Sequence, residues 1–363
     1  MKSLTRCEEV VNFREKTREC KGILAGQYPH VVEDKIYYQM ETPKEVHYAQ
    51  RSGADYRKPL YNNIIKKSLS AHNFSVFYDS NPNTPDDERY KAVGGYHVGR
   101  ASVKTPWKVG LHQATLYGEL NDCEISKNLD VVEFKDPVWP EFTKLLFKDD
   151  FYHPRHANGL YVFKSHDGIE WTEYHDKPIF STLTECESPH EECLAFDTHP
   201  SIFYDRNQND YIIYMRGNLK LGVRHVMYSR SKDLINWSKP KLIKTDPSFD
   251  FDQGNLYFMC AKPYASKYLA FPPHFKNEII SDSNRRYHDT KTQIMISDNG
   301  ENWTTVGSLF EGHTNGHMDF PHVASFRVED DKVALYVHEG FLSDRGKLVR
   351  YTIDKEEVDA LFR

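Results

Sequence analysis

A seven-residue phrase that occurs three times constrains the fold of this 363-residue chain more than any other feature. The copies begin at Ser165, Ser231 and Ser297, which are 66 residues apart, and each has Asp or Asn at its third position and Trp at its seventh. A short β-prone run precedes each copy, such as Leu160–Phe163 before the first. Repeats of this length that combine strands with tight turns are typical of a radial array of small sheets.

The residue types in the phrase suit a structural role. Asp or Asn at the third position, and Gly at the fourth position of two copies, are what a tight turn between two strands requires. The tryptophans that end the copies are large enough to cover the edge between neighbouring sheets, so we predict that Trp171, Trp237 and Trp303 pack between repeats. Any chemistry is therefore expected elsewhere in each repeat.

Five units with strand alternation and turn residues can be aligned by means of the phrase. They begin near Tyr28, His72, Asp197, Asp250 and His317. The sequence therefore predicts an all-β fold, a five-bladed β-propeller built from four-stranded antiparallel blades. The final run, Lys347–Thr352, is predicted to close the ring with the beginning of the chain.

The domain organisation follows from the same alignment. Residues 1–24 are charged and weakly helical in pattern, and we predict a leader packed on the outside of a propeller that spans residues 25–363. About sixty residues, 95–158, interrupt the second unit, which is far longer than a normal strand connection. This insertion, with Trp107, Trp139 and Tyr152–His156, is interpreted either as a lid or binding element over a cleft, or as a segment that packs on the flank or mediates oligomer contacts.

Composition narrows the function classes. The net charge of −6 comes from 47 basic and 53 acidic residues spread along the chain, with no basic stripe of the kind that follows a phosphate backbone. We therefore expect no nucleic-acid partner. The absence of a long apolar run and of a secretory signal predicts no membrane span and a cytoplasmic location. The six irregularly spaced cysteines predict free thiols, although Cys186 and Cys193 bracket enough His and Glu to leave a small metal site conceivable.

The beginnings of the five units carry the candidate functional residues. In a propeller the innermost strands surround a central channel, so their starting ends form the default pocket. Ionisable groups recur at these positions: His30, His72 with Asn73, Asp197 with His199, Asp250 or Asp252, and Asp319 with His322. Carboxylates and imidazoles gathered around one axis would perturb each other's pKa values and suit general acid and base catalysis. Alternatively, each residue only caps its own strand turn.

The third unit carries a family resemblance. The run Asp197–Asp205 followed by Tyr211–Tyr214 resembles the Asp-Pro-x-x-Phe-x-Asp and Tyr-Tyr-x-x-Tyr strand pair of the arabinanase-, invertase- and levansucrase-type glycoside hydrolases. That superfamily has a five-bladed propeller with three axial carboxylates, a nucleophile or base, a substrate-holding Asp and a general acid. Asp197 matches the middle Asp, whereas the first unit carries His30 in place of Asp and the fourth carries Asp in place of Glu.

The resemblance implies a glycoside hydrolase-like enzyme acting on an oligo- or polysaccharide through Asp197, Asp252 and Asp319. Asp197 would hold the substrate or act as base, and Asp252 or Asp319 would donate the proton. The remaining predicted contacts with substrate come from His30, His72, Asn73, His199, Arg216 and His322. Two alternatives remain open, a non-catalytic carbohydrate-binding propeller and a metal-dependent enzyme whose axial histidines hold a divalent cation; no other cofactor is expected. The sequence does not determine the oligomeric state.

Overall fold

The fold of this computed structural model is all-β, and its mostly antiparallel sheets are arranged as a β-propeller. The structure describes residues 1–12, 27–40, 45–52, 55–57, 64–67, 73–95, 107–110, 131–134, 159–181, 194–195, 199–218, 224–246, 254–281, 284–312, 321–340 and 346–363. Within these ranges the strands form five sheets of four or more strands and one two-stranded sheet. We number the five larger ones sheets 1 to 5 along the chain. In the same ranges no helix is long and apolar enough to span a membrane.

Sheet 1 follows the first strand of the chain, which is β1 (Thr5–Asn12). Its strands are β2 (Gln27–Val32), β3 (Lys35–Met40), β4 (Glu45–Ser52), β5 (Asp55–Arg57) and β6 (Ile64–Lys67). They are ordered β2-β3-β4-β5, and β6 also pairs with β4. Strand β2 therefore forms an edge of sheet 1.

Sheet 2 and the described part of the insertion come next. The strands are β7 (Ser75–Tyr78), β8 (Tyr90–Gly95), β9 (Trp107–Gly110), β10 (Val131–Phe134), β11 (Gly159–Ser165), β12 (Thr172–Glu173) and β13 (Phe180–Ser181). A 3-10 turn at Asp86–Glu88 lies between β7 and β8. Strands β9 and β10 pair only with each other, whereas the others form sheet 2 with β7 at its edge. Trp139 and Tyr152–His156, which we predicted to reach over a cleft, lie outside the described residues.

Sheets 3 and 4 resemble sheets 1 and 2 in that an early strand of each forms its edge. Sheet 3 contains β14 (Leu194–Ala195), β15 (Ser201–Asp205), β16 (Asp210–Asn218), β17 (Arg224–Ser231) and β18 (Lys241–Leu242). Sheet 4 contains β19 (Lys244–Thr245), β20 (Gly254–Leu256), β21 (Ala261–Tyr264), β22 (Lys267–Ala270), β23 (Pro273–Ser281), β24 (Asn284–Ser297) and β25 (Asn302–Gly312). The edge strands β15 and β21 correspond to β2 and β7.

Sheet 5 joins the two ends of the chain. Its strands are β26 (His322–Glu329), β27 (Lys332–Glu339) and β28 (Lys347–Asp354), and a short helix, α1 (Lys355–Ala360), follows. Strand β1 pairs antiparallel with β28, so that Thr5 lies opposite Thr352. The predicted closure of the ring is confirmed. The helical pattern predicted near the start of the chain is wrong for Thr5–Asn12, because pairing with a distant strand outweighs a weak local preference.

The repeated phrase forms the same turn three times. The hydroxyl of Ser165 accepts a hydrogen bond from the Gly168 N–H at 2.8 Å, and Asp167 accepts bonds from the next two amides. Ser231 and Ser297 do the same in the other copies. Gly168 and Gly300 have φ of +76°, a conformation that costs glycine little. The predicted turn role of the phrase is confirmed.

The three tryptophans pack across boundaries between sheets. Trp171, on a turn of sheet 2, lies 6.3 Å from the ring of Tyr37 in sheet 1. Trp237 of sheet 3 lies 5.7 Å from Phe180 of sheet 2, and Trp303 of sheet 4 lies 5.9 Å from Tyr214 of sheet 3. The predicted structural role of these residues is therefore confirmed.

Two buried carboxylates join successive sheets close to the axis. Asp79, directly after β7, accepts a hydrogen bond at 2.9 Å from the hydroxyl of Tyr211 in sheet 3. Asp205, at the end of β15, accepts one at 2.6 Å from Tyr268 in sheet 4. Both carboxylates are fully buried, so these bonds form in a low-dielectric environment and fix the inner strand of one sheet relative to the second strand of the next.

Candidate functional site

The edge strands of the five larger sheets enclose a cavity of about 350 Å³ at the axis. Each of these sheets contributes to the wall, and one lining residue from each is His30, Val76, Ile202, Ala261 and Ala324. Closed rings of sheets place such cavities where the inner strands converge. The cavity is therefore the candidate site that the fold offers.

Two imidazole rings lie in contact at the starting ends of the inner strands. The ring centroids of His30 and His199 are 3.5 Å apart, and both residues line the cavity. Burial lowers the pKa of each imidazole well below its usual value; the positive charge of Lys262 lowers that of His30 further, and His30 and His338 lower that of His199. Both rings are therefore neutral at neutral pH, and each can donate one hydrogen bond and accept another.

A local distortion of β2 places His30 at the axis. The pairing of β2 with β3 shifts between Gln27 and His30, so one extra residue is accommodated there. Tyr28 has φ of +47°, which is uncommon for a residue with a large side chain. Bulges of this kind redirect the side chains that follow them, and strained residues cluster at functional sites.

Aromatic side chains surround the imidazole pair. The ring of Tyr28 lies 5.4 Å from His199 and 6.1 Å from Phe258. Phe258 in turn lies edge-on to His322 at 4.9 Å, and His322 lies 5.0 Å from His338. Burial lowers the pKa of His338 to about 3. Four imidazoles thus meet around one phenylalanine and one tyrosine, and the apolar setting keeps at least three of them uncharged.

A buried arginine lies beside this cluster. The guanidinium carbon of Arg216 is 4.1 Å from the centre of the Tyr257 ring, and that of Arg224 is 5.1 Å from the same ring. Arg216 Nε also donates to the Tyr257 carbonyl at 3.5 Å, and the residue is only 1% exposed. A guanidinium stays charged even when buried, so this side of the site is positively charged.

Asn73 connects sheets 1 and 2. It is fully buried with φ of +54°, and its backbone N–H donates to Gln39 Oε1 at 2.6 Å. Its side-chain oxygen accepts a second, longer bond from Gln39 at 3.5 Å. This pairing gives Asn73 a structural role at the starting end of β7.

Some of the predicted site residues meet at the axial cavity, and others lie outside the described residues. Three of them, His30, His199 and His322, are brought together by the fold, and Arg216 lies in the neighbouring position. The described residues contain no group of three or more His, Cys, Asp or Glu arranged to hold a metal ion. The remaining predicted residues lie outside the described ranges: His72, Asp197, Asp250, Asp252, Asp319, Cys186 and Cys193.

Sequence reasoning missed four residues of the site. Tyr28 stands at the predicted start of the first unit, two residues before His30, and this position was the available signal. Phe258 lies eight residues after the predicted start of the fourth unit at Asp250, so the alignment of unit starts gave no signal for it. His338 lies on β27 opposite His322, so the strand register was needed to find it. Lys262 lines the cavity from β21, although lysines in strands usually face solvent.

Comparison with known proteins identifies the fold. No known family profile matches the sequence, and no curated protein is similar to it. An N-acetylgalactosamine deacetylase from F. plautii, solved with blood group B trisaccharide, shares 13% identity over 97% of this chain and 96% of its own, with a TM-score of 0.53. A structure described as a glycoside hydrolase shares 12% identity over 96% and 92% of the two chains, with a TM-score of 0.52. The chain therefore shares its overall fold with these two structures.

Proposed function

We propose that this chain is a glycoside hydrolase-like enzyme that acts on an oligo- or polysaccharide at the starting ends of its inner strands. The carrying observation is the contact between His30 and His199 at a cavity to which each of the five larger sheets contributes. We further propose that each of these sheets is one blade of a five-bladed propeller. The propeller at 25–363 and the insertion at 95–158 remain its proposed parts. The leader at 1–24 also remains one, and its strand β1 forms the edge of sheet 5 opposite β26.

Two of the three carboxylates that we propose for catalysis, Asp197 and Asp319, precede described axial residues in the sequence. Asp197 stands two residues before His199, and an extended chain covers about 7 Å over two residues. Asp319 stands three residues before His322, a span of about 10 Å at most. We therefore propose Asp197 as substrate holder or base and Asp319 or Asp252 as proton donor.

The described side chains suit the binding of a sugar. The neutral imidazoles of His30 and His199 can exchange hydrogen bonds with hydroxyl groups. The rings of Tyr28 and Phe258 offer an apolar surface beside them, and Arg216 adds a cationic donor. Mostly apolar walls with a few convergent polar groups are typical of ligand sites.

A second candidate function is a propeller that binds carbohydrate without cleaving it. The observation in its favour is that sheet 1 presents His30, an uncharged imidazole, where related enzymes carry a carboxylate. A neutral ring with a strongly lowered pKa is a poor general acid at neutral pH. The metal-dependent alternative can be tested by elemental analysis of the purified protein. A result without any divalent cation would exclude it.

A glycan screen separates the enzyme from the binding propeller. We expect full-length protein to release reducing ends from at least one oligo- or polysaccharide in a broad panel, because an enzyme turns over the ligand that it binds. The measurement is reducing-sugar release, followed by mass spectrometry of the products. Binding to a glycan array without any released product would contradict the enzyme and support the binding propeller.

A further inference from the structure

Lys262 places an ammonium group at the wall of the axial cavity. Its Nζ donates hydrogen bonds to Ser325 Oγ and to the Phe326 carbonyl, both at 2.9 Å. Both acceptors are uncharged. Among the described residues no carboxylate oxygen lies within 4.0 Å of this Nζ, which distinguishes it from the buried Lys91, whose Nζ lies 3.5 Å from Glu88 and 3.9 Å from Asp79.

The surroundings of Lys262 leave its charge only weakly compensated. The side chain is partly accessible from the cavity, and the enclosing protein nevertheless lowers its pKa. The Cys260 thiol and, from beyond 4.0 Å, the exposed carboxylate of Glu33 act in the opposite direction, whereas Arg327 adds positive charge. Burial raises the pKa of Cys260, so this thiol is uncharged at neutral pH. Arg327 itself pairs with Glu329 at 2.7 Å. A confined cation without a close counter-charge is a position where a bound anion is stabilising.

Further donors line the same cavity. The Nε2 atoms of His30 and His199 are buried and have no hydrogen-bond partner among the described residues. His199 is only 6% exposed. A buried polar atom without a partner is destabilising, so a ligand that accepts a hydrogen bond from it is favoured. An imidazole remains a donor when it is neutral, because one ring nitrogen keeps its proton.

We propose that the axial cavity binds a small oxyanion between the ammonium of Lys262 and the imidazoles of His30 and His199. The shared chemistry is a compact, negatively charged group with several acceptor oxygens, either inorganic phosphate or the carboxylate of an acidic sugar. The cavity of about 350 Å³ has ample room for such a group. Binding of an oxyanion in this cavity does not require that the protein catalyse the proposed reaction.

The test is thermal unfolding of the full chain in the presence of sodium phosphate or sodium galacturonate. A ligand that binds only the folded state raises the unfolding midpoint, and we expect a rise of about 2 to 4 °C at ligand concentrations about 10 to 100 times the dissociation constant. Sodium chloride at the same ionic strength and neutral galactose are the controls. A rise with phosphate alone identifies a free anion, and a rise with galacturonate alone identifies a sugar carboxylate. No rise above the controls with either compound overturns the proposal.

Variants locate the effect. Lys262→Met should abolish the rise, whereas Lys91→Met should keep it, because Lys91 is equally a buried lysine but has carboxylate partners and does not line the cavity. An equal rise in Lys262→Met and in the unmodified protein would contradict the assignment. Should Lys262→Met not fold, the unmodified protein gives the answer. Galacturonate keeps a constant charge above about pH 6, so its affinity should then fall as pH rises through the lowered pKa of Lys262, and affinity that stays constant up to pH values at which lysine side chains are neutral overturns the proposal.

Discussion

Trp303→Ala is expected to lower the free energy of unfolding by about 3 to 5 kcal/mol, the range for removing a large buried aromatic side chain. Trp303 is 1% exposed and packs against Tyr214 across the boundary between sheets 3 and 4. Its indole N–H donates to the Gly300 carbonyl at 3.0 Å, and that carbonyl also accepts from the Tyr214 hydroxyl at 2.7 Å. The substitution therefore removes packing between sheets together with a bond within the turn. Urea unfolding followed by far-ultraviolet circular dichroism measures the loss.

Trp237→Ala is the matched control for this experiment. Trp237 ends the second copy of the phrase and donates to the Leu234 carbonyl at 3.1 Å, but it is only partly buried. We expect a loss clearly smaller than that of Trp303→Ala, because less apolar area is removed from the core. A loss below about 1 kcal/mol for Trp303→Ala, or a larger loss for Trp237→Ala, would contradict the role assigned to the phrase.

Acidification is expected to destabilise the fold well before the carboxylates titrate. The folded protein holds the pKa values of His30 and His199 well below their usual range, and that of His338 at about 3. In the unfolded chain each imidazole binds a proton near pH 6.5, so unfolding takes up protons below that pH. The stability from these groups is complete above about pH 6.5 and is lost as pH falls. Three such groups lower the free energy of unfolding by up to about 4 kcal/mol per pH unit.

Urea unfolding at about pH 7, 6 and 5 measures this dependence directly. The lowered pKa values of Asp233 and Glu357, each about 2, add their effect only at lower pH, where carboxylates of the unfolded chain become protonated. His338→Gln should reduce the number of protons taken up on unfolding by about one, because one imidazole with a lowered pKa is removed. The free energy of unfolding then depends less steeply on pH. A free energy of unfolding that is constant between about pH 7 and pH 5 would show that these rings are not buried as neutral groups.

Local chemistry explains which parts of the fold were predictable. The turn after each strand is specified by residues two or three positions apart, such as Ser165 and Gly168, so sequence alone revealed it. The first strand was not predictable in this way, because Thr5 pairs with Thr352 at the other end of the chain. A short charged segment carries no signal for so distant a partner, and its local pattern indicated a helix instead.

The same distinction applies to the candidate site. Aligning the strand starts was sufficient to group His30 with His199, since inner strands of a propeller converge at one axis. The alignment could not reveal Lys262, whose hydrogen-bond acceptors come from another sheet. Nor could it show that Asn73 is committed to Gln39, because that contact depends on how sheets 1 and 2 pack together.

Turnover by Asp197→Asn tests the central claim most directly. The substitution keeps the size of the side chain and removes its charge, and the proposal gives this carboxylate a part in catalysis beside His199. We expect loss of at least about a thousandfold in the rate of glycan cleavage, with an unfolding midpoint close to that of the unmodified protein. Cleavage at an unchanged rate by a folded Asp197→Asn protein would contradict an active site at the propeller axis.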